Sequence, residues 1–231
     1  MKLGLFTDSH YSSQEVTCGC RYNSRSLEKM SKAYEAFEQA GCELVICLGD
    51  LTDHEESHAQ EILNLQAAAK VMVGSQIPTF CVMGNHDGFS FTVEEFYGLL
   101  GTQQPQVYRA GEKTLLFLDA CFFQSGAHYM PGDSDWTDTF LPDPEKLKHQ
   151  LEAAEGEVIV FLHQNIDPEI REDHCLHNRA RVREILEQSG KVRTVYQGHY
   201  HPGKVTEHNG IRYVTLPAMC EGEGRWRIEE I

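Results

Sequence analysis

An α/β sandwich is expected of this chain, because short, wholly apolar runs alternate with longer amphipathic stretches and the runs stop abruptly at glycine and polar residues. Strands that are apolar at every position are covered on both faces, as in sheets flanked by helices. Pro78 to Met83 anchors the reading: it looks like a buried strand and runs straight into Gly84-Asn85-His86-Asp87. The glycine lets the backbone bend tightly there. The next three residues offer an amide oxygen, an imidazole and a carboxylate on one polar turn.

At 231 residues, with 41% apolar and 24% charged side chains, the chain can bury a sizeable core as one domain, 1–231. A net charge of −15 argues against a general nucleic-acid or membrane-surface binder. No window is apolar enough to span a membrane, and the first strand lacks the cleavage site of a signal peptide. The eight cysteines are scattered, several inside expected strands, where a free thiol behaves as a small hydrophobe. Cys18-Gly19-Cys20 is the only close pair, and no second pair completes a zinc spacing. A reduced, cytoplasmic protein is the expectation.

The first strand, about residues 2–7, ends at Asp8-Ser9-His10. In an extended segment residues i and i+2 point the same way, so Asp8 and His10 could share a cation. Ser24 or Ser26 is placed to cap a helix reaching Ala40, with Leu27, Met30, Ala33, Tyr34 and Phe37 on its apolar stripe and Gly41 as its stop. A second strand, Glu43 to Leu48, runs into Gly49-Asp50-Leu51-Thr52-Asp53. A helix over roughly 55–73 leads to the third strand. Beyond it come a short helix near 92–100 and a hairpin, Gln106–Arg109 with Thr114–Leu118, across Ala110 to Lys113.

Residues 121–144 form a long Gly-, Pro- and Asp-rich loop carrying Tyr129 and Trp136, either of which could stack a nucleobase. A helix at about 143–154 precedes strand Val158–Leu162, which stops at His163. Helix 178–188 precedes strand 192–197, which stops at Gly198-His199-Tyr200-His201. The rest reads as a closing β-meander: Val205 to Glu207, Ile211 to Leu216 and Arg225 to Ile228, with Asn209-Gly210 as a tight turn.

Five apolar strands thus end in metal-type ligands: Asp8 and His10, Asp50, Asn85, His163, and His199 with His201. Carboxyl ends of strands in such folds open onto one crevice. Buried there without cations, the carboxylates would be costly. Imidazole, carboxylate and amide oxygen together suit Mn²⁺, Fe²⁺/Fe³⁺ or Zn²⁺ better than Ca²⁺.

Taken in order, these blocks resemble the calcineurin-like metallophosphoesterase superfamily, from Asp8 to His201. The resemblance implies a four-layer α-β-β-α sandwich of two mixed sheets with a two-metal centre at the strand ends. It implies Asp8, His10 and His201 on one divalent ion, Asn85, His163 and His199 on the other, and Asp50 bridging. It also implies that His86 contacts the phosphate and protonates the leaving oxygen, with Asp53 orienting that imidazole. Asp87 reads as a structural, capping carboxylate. Protein phosphatases of this superfamily have an arginine after the second Asp of the GDxxD block, where this chain has His54, which disfavours phosphoprotein substrates.

Arg21-Tyr22, Ser26-Leu27, Cys175-Leu176 with Asn178, and Gly210-Ile211 with Tyr213 resemble the ADP-ribose/CDP-alcohol diphosphatase group. That likeness implies substrate contacts from Arg21, to a second phosphate, and from Asn178, closing the pocket. The function expected is hydrolysis of small phosphodiesters or phosphoanhydrides, nucleotide-linked ones included. A cyclic-nucleotide phosphodiesterase is the alternative enzyme, and a non-catalytic scaffold the alternative of another class. Oligomeric state is left open.

Overall fold

The computed structural model describes residues 1–231. Its elements run β1 (Lys2–Phe6), α1 (Ser26–Ala40), β2 (Leu44–Cys47), α2 (His58–Gly74), β3 (Thr79–Cys81), α3 (Asn85–Ser90), α4 (Val93–Leu100), β4 (Val107–Ala110) and β5 (Lys113–Phe117). They continue with α5 (Pro144–Ala153), β6 (Glu157–Phe161), α6 (Arg179–Ser189), β7 (Val192–Gln197), β8 (Lys204–His208), β9 (Ile211–Thr215) and β10 (Arg227–Glu230). No helix is long and apolar enough to cross a membrane.

The strands form two mixed sheets, one ordered β10-β1-β2-β3 and the other β4-β5-β6-β7-β9-β8. Alternation along each strand explains why both faces are apolar. Leu3, Leu5, Leu44 and Ile46 point into a core shared with Leu115, Phe117, Ile159 and Phe161 of the opposite sheet. Phe6, Val45 and Cys47 point the other way, onto Met30, Phe37 and Leu65 of α1 and α2. On the far side Leu116, Val158 and Val160 pack against Leu147, Leu151, Val182 and Leu186 of α5 and α6. Helix, sheet, sheet, helix: the four layers follow from three cores.

Local signals account for most element ends. Gly41 stops α1 in the left-handed region at φ 71°, and Ser57 and Thr92 accept amide hydrogens at the starts of α2 and α4. Asn209 (φ 52°) and Gly210 (φ 77°) make the tight turn between β8 and β9, both central residues having positive φ.

Four expectations need correction. The last strand does not extend the meander: β10 leaves the second sheet and pairs antiparallel with β1 at the edge of the first. Period-two alternation identifies a strand but not its partner. Neither Ser24 nor Ser26 caps α1; a 3₁₀ turn over Asn23–Arg25 leads in, Arg25 holds the cap position, and the Ser26 hydroxyl donates to the Ser9 carbonyl. Gly84 to Asp87 is the start of α3 rather than an isolated turn. Residues 121–144 are pinned by bridges from Cys121 and Phe122 to Phe140, and Tyr129 is fully buried with its hydroxyl donating to Asp138 O at 2.7 Å. That burial removes Tyr129 as a stacking platform.

Gly4 of β1 offers a test of the β1–α1 contact. A Cβ there would stand 2.6 Å from Cγ of the fully buried Phe37 ring. Gly4→Ala is expected to cost about 1–3 kcal/mol, read from the denaturant midpoint, and Phe37→Leu in the same chain should recover part of it. An unchanged midpoint would contradict this packing.

Candidate metal centre

The ends of β1, β2 and β3 from one sheet and of β6 and β7 from the other meet along one edge. Asp8 and His10 follow β1, Asp50 follows β2, Asn85 opens α3 just after β3, and His163 and His199/His201 follow β6 and β7. Seven non-glycine residues have positive φ, and four of them are here: Asp8 (51°), His10 (43°), Asp50 (51°) and His199 (64°). Asp8 and His10 therefore meet through two left-handed residues and not through the pleat of an extended strand. Such backbone is strained for an L-residue and collects at functional sites.

The side chains form two groups joined by one carboxylate. In the first, His10 Nε2 lies 3.2 Å from His201 Nε2 and 3.7 Å from Asp8 Oδ1, and His201 Nε2 lies 3.4 Å from that same oxygen. In the second, His163 Nε2 is 3.2 Å from Asn85 Oδ1, and the ligand atoms of Asp50, His163 and His199 all lie within 4.8 Å of one another. Asp50 Oδ2 reaches both, 3.6 Å from His10 Nε2 and 3.2 Å from His163 Nε2.

Surrounding hydrogen bonds aim these atoms inward. His163 Nδ1–H donates to Leu48 O at 2.7 Å and His201 Nδ1–H to Glu221 Oε1 at 2.6 Å, which leaves each Nε2 for the centre. Asp8 Oδ2 accepts from Thr7 Oγ1 (2.6 Å) and the His199 amide (3.1 Å), while Asp50 Oδ1 accepts from the His86 amide (2.8 Å). Asp87 takes the structural role expected of it, accepting from the amides of Gly84 and Leu51 at 3.0 Å each.

The donor set fits divalent cations. Asp8 Oδ1 and His199 Nε2 are buried without any hydrogen-bond partner, an expensive arrangement for polar atoms. Imidazole nitrogens and carboxylate oxygens crowd together there, all of them atoms that ligate metals. Burial disfavours every charged form here, so neighbours decide the outcome. Against that burial, the Asp50 and Asp8 carboxylates push His163 up to about 10. Burial and the charge of His86 bring His10 down to about 4. Burial raises Asp50, but the charges of His163 and His86 outweigh it and hold it below the usual carboxylate range.

A cleft of about 440 Å³ opens over the centre, lined also by Cys18, Arg21, His86, Trp136 and His174. His86 Nδ1 sits 2.8 Å from Asp53 Oδ1, which with Asp50 raises its pKa against the effect of burial. Asp53 is fixed by Asn23 Nδ2 (3.0 Å), Thr17 Oγ1 (3.1 Å) and Arg21 Nη1 (3.5 Å). Trp136 stands on the opposite wall, 5.1 Å from the His174 ring and 5.7 Å from that of His199. Asn178 is not in the cleft. Its amide is consumed by Leu141, donating to the carbonyl at 2.8 Å and accepting from the N–H at 3.2 Å, so it ties the long loop to the start of α6.

Glu221, Cys220, Cys18 and His174 are at or against the centre and had no signal in the sequence. Glu221 and Cys220 arrive on the irregular crossing between β9 and β10, where no periodicity announces an approach.

The calcineurin-like phosphoesterase profile matches residues 1–203. Comparison with curated protein sequences gives no match. A dimetal phosphatase from Danio rerio superposes with a TM-score of 0.82 at 18% identity, covering 96% of this chain and 88% of that one. A Thermus thermophilus protein gives 0.64 at 13% identity, with 96% and 91% covered. Phosphopantetheinyl hydrolase from Mycobacterium tuberculosis gives 0.58 at 14%, with 95% and 90% covered. These likenesses show a shared fold, and the family match spans 203 of 231 residues: the chain belongs to the calcineurin-like phosphoesterase family.

Proposed function

We propose that this protein is a single-domain, two-metal phosphohydrolase of small phosphodiesters or phosphoanhydrides, nucleotide-linked ones included. Asp8, His10 and His201 would hold one divalent ion, Asn85, His163 and His199 the other, with Asp50 shared between them. The observation that carries this reading is the position of Asp50 Oδ2, within 3.6 Å of a nitrogen from each group. The sequence likeness to a two-metal family and the fold shared with a dimetal phosphatase agree with it. The mixed nitrogen and oxygen donors suit Mn²⁺, Fe²⁺/Fe³⁺ or Zn²⁺. Bound there, the ion pair supplies Lewis-acid polarisation of the phosphoryl group and an activated water nucleophile at neutral pH.

The chain's own residues do the rest. His86 presents Nε2 to the cleft because Nδ1–H is committed to Asp53. Held protonated by that carboxylate, it donates its Nε2 proton to the departing oxygen. Asp53 is a positioning residue: it fixes the ring and favours the imidazolium. Arg21 offers a planar fork to a second phosphate oxygen from the same wall. Trp136 gives the opposite wall an apolar face for the rest of the substrate.

Three outcomes are expected. With Mn²⁺, hydrolysis of bis-p-nitrophenyl phosphate should collapse in Asp50→Asn and under chelation. Activity that survives both would sink the two-metal reading. His86→Gln should lose about 10²–10⁴-fold on a diester with an alkoxide leaving group but much less on the p-nitrophenyl ester, whose leaving group departs without a proton. Equal losses on both would remove His86 from the acid role. Asp53→Asn lowers the pKa of His86, so the alkaline fall of kcat should move to lower pH. An unmoved limb would deny the coupling. ADP-ribose, CDP-choline and cyclic AMP, followed by product analysis, then separate pyrophosphate cleavage from ring opening.

A further inference from the structure

We infer that the thiol of Cys220 is an additional ligand for the cation between His10 and His201, an inference that rests on the two-metal reading. Cys220 is fully buried in the short 3₁₀ turn Met219–Glu221 that follows β9. Its ligand atom and those of His10 and His201 all lie within 4.8 Å of one another. Around one tetrahedral zinc ion, nitrogen at about 2.0–2.1 Å and sulfur at about 2.3 Å stand roughly 3.6 Å apart. Closing the three atoms onto one ion therefore takes a movement of at most about 1 Å, within reach of side-chain torsions.

Two further observations point the same way. Asp8 Oδ1 is fully buried, has no hydrogen-bond partner and lies 3.4 Å from His201 Nε2, so the pocket that Cys220 adjoins already holds a carboxylate oxygen left unsatisfied. The buried thiols of Cys81, Cys121 and Cys175 donate to backbone carbonyls at 3.5, 3.3 and 3.7 Å. The thiol of Cys220, like those of the buried Cys42 and Cys47, makes no such bond, and of these three it alone lies beside two imidazoles of the centre.

The turn is held from two sides. The Cys220 amide donates to Asp8 O at 3.1 Å, and the buried Lys29 Nζ donates to the carbonyls of Cys220 at 2.7 Å and Met219 at 3.1 Å. Neighbouring residues thus serve one imidazole: Glu221 accepts its Nδ1–H, and Cys220 joins its Nε2 on the ion. As the sulfur–metal bond forms, the S–H proton passes to solvent. A thiolate makes this half of the centre softer than the Asn85/His163/His199 half, which favours Zn²⁺ or Fe²⁺ here over Mn²⁺. The two halves would then load unlike metals.

Optical spectra of the full-length protein loaded with Co²⁺ test this. Wild type should show visible ligand-field bands together with a near-ultraviolet sulfur-to-cobalt charge-transfer band. Cys220→Ser should lose the charge-transfer band, keep the visible bands and far-ultraviolet circular dichroism, and bind Zn²⁺ roughly 10–100-fold more weakly. Cys18→Ser, which removes the thiol lining the cleft, should keep the band. Visible bands with no charge transfer in wild type, or charge transfer that survives Cys220→Ser, would overturn the inference while leaving the two-metal reading standing. No cobalt binding at all would overturn both. Should the serine variant not fold, Cys220→Ala takes its place.

Discussion

Two carboxylates, Asp8 and Asp50, are buried where the edges of two sheets meet, and no lysine or arginine reaches either one. Their nearest charged partners are imidazoles. A carboxylate withdrawn from water is costly unless paired, and although Asp50 and Asp8 hold His163 charged, burial brings His10 and His199 down. The centre is therefore electrostatically incomplete. Its backbone adds to the cost, since left-handed φ at Asp8, His10, Asp50 and His199 represents about 1–3 kcal/mol apiece. An edge built this way is stabilised by whatever supplies positive charge, and metal binding then doubles as folding free energy.

Glycine makes that edge possible. A Cβ on Gly84 would strike the Asp50 carboxylate, and one on Gly198 would strike Thr7 Oγ1 and stand 2.8 Å from Asp8 Oδ2. In each case the backbone after one strand is pressed directly onto a carboxylate that follows another. Gly198 makes this contact across the two sheets, β7 to β1, so it fixes their spacing where the two groups of donors must face each other. The inter-sheet core of Leu5, Ile46, Phe161 and Tyr196 sets the same spacing behind it. Packing and site geometry thus impose one constraint on the distance between sheets.

That dual constraint explains what could be read from sequence. Elements whose residues face fixed layers announce themselves by period, and β1, β2, β6, β7 and the helices between them were legible on that ground. Their polar ends were legible too, because Asp50 or His163 after five apolar residues has no packing reason to be there. The partner of β10 was not, since alternation says nothing about which edge a strand joins. Nor was the conformation of Asp8 and His10: they converge because of dihedral angles that only the finished edge imposes. Asn178 was misread for a related reason. A polar residue at a helix start has several satisfactory partners, and here a neighbouring loop's backbone takes both ends of its amide.

The residue after Asp53 carries a consequence for recognition. His54 does not turn into the cleft; its ring is largely exposed and pairs with Glu61 at 2.7 Å. The single guanidinium over the centre, Arg21, comes instead from the segment before α1 and is already partly neutralised by Asp53. In a protein of net charge −15, such a cleft has little positive potential of its own. Binding of a phosphate there depends on bound cations rather than on a basic surface. The chemical identity of what is attached to the phosphate is then left to the opposite wall, where Trp136 and His174 present their rings.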